Sequence, residues 1–374
     1  MNRPTGRLDP ITAMQVRQLL TQAADLHQSG QAGQAAALCY RIIQMDPDNG
    51  HAHHMMSHVA LETGALDIAL TSLRRAHKLQ PRSAPVAADL GRALLANRAP
   101  LEAVKMLRAA IKLDGSEASY HISLGEALLD NKRVDAALLA YREALRLAPG
   151  NKIALHMVEA LEKQTSGKGE SDYVSTLFDS YAAHFDQHLK TLHYAVPDKM
   201  AELLRNHALP PNAASLDLGC GTGLVAAALS DRERVFDGID IAPKMIEQAR
   251  ERGLYRNLRA GDILDVIETD PQFRGPYGLV TAGDVFIYIG KLDAIFSTVR
   301  DLLDAEGLFV FSVERSDDAD VAVRSSGRFA QSVSYIEKLS KNFGFEELER
   351  HELPVRTEAG AQIPGLIFVL RKTA

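Results

Sequence analysis

At an offset of 34 residues the first part of the chain stacks on itself: Ala35, Ala69, Ala103 and Ala137 fall in one column. Ile42, Ala76, Ala110 and Ala144 form a second column seven residues on, with Cys39, Leu73, Leu107 and Tyr141 between. Pro47, Pro81, Gly115 and Pro149 close the periods. Such a unit is a helix pair: small residues let the two helices approach, and a proline or glycine stops the second helix before the next unit begins. One pair cannot bury its apolar face alone, whereas four stacked pairs can. The pattern therefore predicts an all-α solenoid of four units over about residues 16–149, with "NKIALHMVEALEKQ" (151–164) as a terminal capping helix. Gly91 and Gly125 mark close contacts of the first helix in the third and fourth units.

These columns resemble the tetratricopeptide repeat. The first unit departs most, with Thr21, Gln22 and Ala23 near its usual Leu-Gly pair, as an end repeat does. The resemblance implies a concave surface for an extended peptide or partner helix, so a protein partner or protein-borne substrate is expected on the array. In "HAHHMMSH" (51–58) His54 and His58 stand four apart on one helix face, but no acidic or cysteine ligand lies in register, so no metal is expected. "TSGKGESDY" (165–173) has no apolar periodicity and reads as the linker. The expected organisation is a repeat domain over 1–164, a linker over 165–172 and a second domain over 173–374.

With 374 residues the chain is too long for one ordinary core. Its 42 basic and 48 acidic residues give a net charge of -6, which supplies no chain-wide attraction to nucleic acid or to an anionic membrane. The opening "MNRPTGRLDPITAM" has no apolar leader segment, and no apolar run approaches the ~18 residues that span a bilayer, so a cytoplasmic location is expected. Cys39 and Cys220 are the two cysteines, too few for a disulfide framework or a zinc cluster.

From residue 215 short β-rich runs alternate with helical ones, which predicts crossover units and a parallel sheet. "YGLVTAGDVF", "GLFVFSVE" and "LIFVLRK" supply further strands, with helices over "LDAIFSTVRDLLDAEG" and "SYIEKLSKNFG". "FEELERHEL" and "IPGLIFVL" pair around a turn as an antiparallel edge. In such sheets ligands sit beyond the carboxyl ends of the strands. The first strand ends in "LDLGCGTG", where Gly219, Gly221 and Gly223 present bare backbone to a nucleoside. Asp240, nineteen residues after Gly221, closes the second strand where a carboxylate accepts ribose hydroxyls. Asp262 closes the third, where a carboxylate accepts an exocyclic amine. Asp217, beside the loop, opposes a pyrophosphate and suits a ligand carrying an ammonium or a sulfonium.

This combination resembles the Rossmann-like S-adenosylmethionine-dependent methyltransferases, over residues 173–374. The resemblance implies an α/β domain with a mostly parallel seven-stranded sheet and an antiparallel edge. It also implies S-adenosylmethionine as cofactor, held by Asp217, Gly219, Gly221, Gly223, Asp240, Ile241, Met245, Asp262, Ile263 and Asp284. "LFDSYAAHFDQHLKTLHYAVP" (177–197) is similar to the lid helices of small-molecule and carboxylate methyltransferases, with Tyr181 and Phe185 on one face to cover the methionine half. The whole chain resembles a tetratricopeptide-containing methyltransferase.

A carboxylate acceptor needs no base; for a hydroxyl or amine the candidates are Asp284, His188, His184 and Tyr288, with Asp284 and His188 first. "SGRFAQSVSY" (326–335) brings Arg328, Ser332 and Tyr335 toward the mouth, so Tyr288, Arg328 and Tyr335 are the candidate substrate contacts. Related proteins often have histidine where Gln331 stands, which leaves that ring's role unfilled here. The Asn/Asp-Pro-Pro-aromatic signature of amide and exocyclic-amine methylation is missing, which disfavours DNA or glutamine as acceptor. The alternative reading is an interaction scaffold that senses the cofactor without turnover; a nicotinamide-dependent oxidoreductase is disfavoured.

Overall fold

The computed structural model describes residues 9–162, 171–192, 194–209, 214–230, 235–358 and 361–373. It divides into two compact units, Met1–Leu155 and His156–Ala374. Residues 165–170 of the expected linker lie outside the described residues, and Ser171 already opens a helix.

In the first unit α1 (Pro10–Gln28), α2 (Ala32–Met45), α3 (Gly50–Glu62), α4 (Leu66–Leu79), α5 (Ala84–Ala96), α6 (Pro100–Leu113), α7 (Ala118–Asp130) and α8 (Val134–Leu147) form consecutive pairs, and α9 (Lys152–Glu162) follows. Asp9, Asn49 and Ser83 accept backbone N–H groups at the starts of α1, α3 and α5. Every column residue from the alanine, Cys39 and Ile42 columns is fully buried. The two helix glycines are matched to the residue across the pair: a Cβ on Gly91 would stand 2.6 Å from Leu107 Cγ, and one on Gly125 would stand 2.6 Å from Tyr141 Cζ. The repeat's periodicity is thus a packing rule, small residue opposite large.

One expectation needs correction. The acid missing around His54 and His58 comes from the next repeat: Asp89 Oδ2 on α5 lies 2.6 Å from His54 Nε2 and 2.9 Å from His58 Nε2. Register within a single helix gave no sign of it, because the partner sits 35 and 31 residues away.

The second unit begins with α10 (Ser171–Tyr181), α11 (Phe185–Thr191) and α12 (Val196–Leu204). Then β1 (Ser215–Leu218), α13 (Leu224–Ala228), β2 (Phe236–Asp240), α14 (Pro243–Glu251), β3 (Tyr255–Ala260), α15 (Ile263–Thr269) and β4 (Tyr277–Ala282) alternate. The chain closes with α16 (Asp293–Leu302), β5 (Leu303–Glu314), β6 (Val321–Val323), β7 (Phe329–Gln331), α17 (Val333–Asn342), β8 (Phe345–Glu358) and β9 (Ala361–Lys372). The main sheet has seven strands in the order β3-β2-β1-β4-β5-β9-β8; β9 runs antiparallel to both its neighbours and the other pairs are parallel. Successive residues face opposite sides. Val280, Ala282, Phe309, Phe311 and Phe368 pack with α15, α16 and α17, while Leu279, Leu308, Val310 and Ile367 pack with α12 and α13. The helix expected over 292–307 stops at Leu302, because Leu303 takes up register with Tyr277 of β4.

Candidate active site

Strand order turns back between β1 and β4, and the loops beyond the carboxyl ends of the strands there enclose a cavity of about 360 Å³. Its floor at the β1 end is the glycine loop. Gly219 and Gly221 sit at φ +60 and +54, in the left-handed region, and a Cβ on Gly219 would meet Val285 Cγ2 at 2.4 Å. The loop's N–H groups are largely spent inside the protein. Cys220 N–H donates to the Ile239 carbonyl (2.9 Å), Gly221 N–H to Asp240 Oδ2 (2.8 Å) and Gly223 N–H to the Cys220 carbonyl (2.8 Å). A loop that cradles phosphate must turn such groups outward, so this one is unsuited to a pyrophosphate.

Asp240 also accepts the Ala242 N–H on Oδ1 at 2.8 Å. Burial raises its pKa to about 6, against the pull of those two N–H bonds. Asp262 lines the cavity at the end of β3 and caps α15, with Oδ1 accepting from Leu264 N–H at 2.9 Å. Ile241, Met245 and Ile263 complete this side.

Two of the expected cofactor residues lie off the cavity wall. Asp217 is fully buried beneath the loop, where Tyr255 and Thr281 hydroxyls donate to it at 2.8 Å each, and burial lifts its pKa to about 6. Gly223, at φ +89, starts α13 and faces Tyr255 and Arg252. Both residues shape the loop and neither lines the cavity.

The roof comes from α10, the 3-10 turn Ala182–His184 and α11. Phe178, Tyr181, Phe185 and His188 line the cavity; Tyr181 meets Phe185 edge-on at 5.9 Å between centroids and His188 at 5.2 Å. His184 is not among the lining residues. Ala182, Phe178 and Phe185 pack on Ala242 and Met245. Two acids fasten the roof to the sheet: Asp179 Oδ1 accepts Lys244 N–H (2.9 Å) near the start of α14, and Asp186 takes the Thr222 hydroxyl (2.5 Å) and ion-pairs with Arg252.

At the β4 end Asp284 adopts φ +59, its N–H donates to Ser312 Oγ (2.8 Å), and its carboxylate pairs with Arg356 Nη1 at 3.0 Å. Arg356, only 5% exposed, also pairs with Glu314 at the end of β5. Burial pushes the Glu314 carboxyl upward while Arg356 opposes it. Tyr288 and Arg328 line the same end and hydrogen-bond to each other; burial raises the Tyr288 phenol. Tyr335 is not brought to the site: its hydroxyl donates to Asp293 Oδ2 (3.0 Å) and accepts Leu292 N–H (2.9 Å), tying α17 to α16. Gln331 is buried, and its amide donates to the Phe286 and Ile289 carbonyls at 3.0 Å each, bracing the turn after Asp284. Ser332 caps α17.

Sequence reasoning missed Arg356, Glu314, the Asp186–Arg252 pair and Tyr194, which lines the cavity and whose phenol pKa is raised by burial. Arg356 lies 72 residues from Asp284 and 42 from Glu314, on an edge hairpin whose charges look like a solvated face.

Residues 216–309 match the family model of a methyltransferase domain, and residues 88–152 match that of a tetratricopeptide repeat. The chain carries a methyltransferase domain behind a tetratricopeptide array. The methyltransferase domain has the Rossmann-like fold of S-adenosylmethionine-dependent enzymes. It is 42% identical over 85 residues to methyltransferase-like protein 27 of Homo sapiens, covering 22% of this chain and 34% of that protein. It is 30% identical over 148 residues to the malonyl-[acyl-carrier protein] O-methyltransferase of Geobacter sulfurreducens, covering 39% and 50%. The chain thus spans between a third and a half of these curated relatives. The magnesium protoporphyrin IX methyltransferase of Synechocystis, solved with S-adenosylhomocysteine, is 16% identical with a TM-score of 0.40 over 53% of this chain and 99% of that one. No described helix is long and apolar enough to cross a membrane.

Proposed function

We propose that the protein transfers a methyl group from S-adenosylmethionine to an anionic small acceptor or acceptor group, and that the array, taken as residues 1–164, docks a protein partner or the protein that bears the acceptor. The observation that carries this is one continuous cavity in which Asp240, Gly219, Gly221 and Asp262 stand at one end and Arg328, Tyr288 and Asp284 at the other. The cofactor end offers a carboxylate and inward-turned N–H groups, which suits ribose hydroxyls and a sulfonium and does not suit phosphate. In this reading Asp240 accepts the ribose hydroxyls, Asp262 accepts the base amine on Oδ2, and Tyr181 and Phe185 cover the methionine half with Ile241, Met245 and Ile263 as apolar contacts.

When bound, the cofactor supplies an already activated methyl group, so the protein's own residues mainly align the acceptor and exclude water. The aromatic roof excludes water. Arg328, hydrogen-bonded to Tyr288, orients an acidic acceptor. A carboxylate oxygen attacks without proton transfer. For a hydroxyl acceptor His188, on the roof, takes the proton, because Asp284 is engaged by Arg356. Similarity to a malonyl-[acyl-carrier protein] O-methyltransferase favours oxygen as the acceptor atom. The described residues and the charge suit a cytoplasmic setting.

The test is incubation of the full chain with methyl-labelled S-adenosylmethionine and a desalted cell extract. Label entering an acidic component, released as methanol by mild base, supports a carboxyl acceptor; base-stable label points instead to a hydroxyl, amine or carbon acceptor, which mass spectrometry of the product distinguishes. Saturable cofactor binding with no labelled component would instead support a cofactor-sensing scaffold.

A further inference from the structure

His54, His58 and Asp89 converge on one face of adjacent repeats. Spacing of four residues on α3 stacks the two imidazoles, whose centroids are 4.6 Å apart at 70°, and α5 brings the carboxylate from the neighbouring unit. The three ligating atoms, His54 Nε2, His58 Nε2 and Asp89 Oδ2, all lie within 4.8 Å of one another. The side chains are 18%, 41% and 14% exposed, so the group is half-open to solvent. Asp89 Oδ1 is taken by Arg92, one turn on, which orients the carboxylate so that Oδ2 is the oxygen presented to both rings.

We propose that these three residues bind a first-row divalent transition-metal cation, of which zinc is the probe. Two imidazoles and one carboxylate are the ligand types such an ion selects. Bond lengths of about 2.0–2.2 Å to tetrahedral N and O ligands imply ligand separations of about 3.3 Å. The present His–Asp separations of 2.6 and 2.9 Å have to widen by about 0.7 and 0.4 Å, and the two Nε2 atoms, which lie within 4.8 Å of each other, have to settle at a similar separation, adjustments that side-chain rotation supplies. In the metal-free form two imidazole nitrogens crowd onto one carboxylate oxygen; with the cation bound, each Nε2 instead gives its lone pair to the metal while the neutral ring carries its proton on Nδ1, and any second ring proton passes to solvent. Arg92 offsets part of the carboxylate charge, so the expected affinity is weaker than that of a buried structural zinc. Three protein ligands leave coordination open to water or to a side chain of a docked partner. The bland alternative is an inter-repeat ion pair, which takes up no metal.

The experiment uses the full chain, tag-free and stripped with chelator, titrated with zinc chloride by calorimetry at pH 7.5 and with cobalt chloride by visible absorption. The proposal expects one saturable site, and a zinc-edge anomalous peak between His54, His58 and Asp89 in crystals of the unmutated protein. His58→Ala and Asp89→Asn are each expected to weaken zinc binding at least ~10-fold. His53→Ala, whose ring instead meets the Pro47 carbonyl at 3.1 Å, is expected to leave it unchanged. No saturable uptake by the unmutated chain, an anomalous peak elsewhere, or equal affinity in Asp89→Asn overturns the proposal. The anomalous map decides the matter even where a variant fails to fold.

Discussion

The two ends of the cavity treat buried acid in opposite ways. At the β1–β2 end Asp240 is 8% exposed and its two oxygens are met by the N–H groups of Gly221 and Ala242, with no basic side chain among the described residues hydrogen-bonded to it. At the β4–β8 end Asp284 and Glu314 share the guanidinium of Arg356. The first end keeps its negative charge available to a ligand that brings hydroxyls or positive charge. The second sets one guanidinium against its two carboxylates, and what it presents to a ligand is a fixed wall and the neighbouring Arg328. The lesson is that similar carboxylates at successive strand ends divide between binding and construction according to what else is buried with them.

Breaking the construction end should have the largest effect. Arg356→Met removes the guanidinium shared by buried Glu314 and part-buried Asp284, leaving Arg328 as the neighbouring cation, and is expected to cost about 3–5 kcal/mol of stability, read by denaturant unfolding. A loss under ~1 kcal/mol would mean the pair contributes no more than a surface bridge. Asp240→Asn keeps the side chain's shape and removes its charge; it is expected to weaken S-adenosylhomocysteine binding by ~10–100-fold, measured by calorimetry, with a much smaller change in unfolding than Arg356→Met.

The pH dependence sharpens the same contrast. Because the Asp240 pKa is raised to about 6, the carboxylate is ionised at pH 7.5 and protonates as pH falls through that value. Cofactor affinity should therefore drop about tenfold between pH 7.5 and pH 5, and Asp240→Asn should flatten the profile. The smallest effect is expected at the roof. Asp186→Ala breaks an ion pair whose partners are 38% and 29% exposed, so the affinity change should stay under ~1 kcal/mol, with a faster cofactor off-rate in stopped-flow.

What the sequence disclosed follows the same division. The array was legible because its rule recurs every 34 residues and each column position meets the same neighbour, as Gly125 meets Tyr141. The binding end was legible too, since glycine geometry and strand-end acids are local: Gly219, Gly221, Asp240 and Asp262 all line the cavity. Asp217, Gly223 and Tyr335 belong to the same motifs or segments and yet face away, because position in a motif does not state which side of the loop a side chain takes. Arg356 with Asp284 and Glu314, and Asp89 with His54 and His58, were illegible for a common reason. Each joins residues from separate strands or separate repeats, and only the fold's long-range register brings them within hydrogen-bond reach.

The central claim is that the cavity is built for an adenosyl sulfonium, and calorimetric titration of the full chain with S-adenosylmethionine and with NADH tests it most directly. Saturable binding of S-adenosylmethionine at one site per chain, with no heat from NADH, is the predicted result. NADH binding, or no saturable uptake of S-adenosylmethionine at pH 7.5, would contradict it.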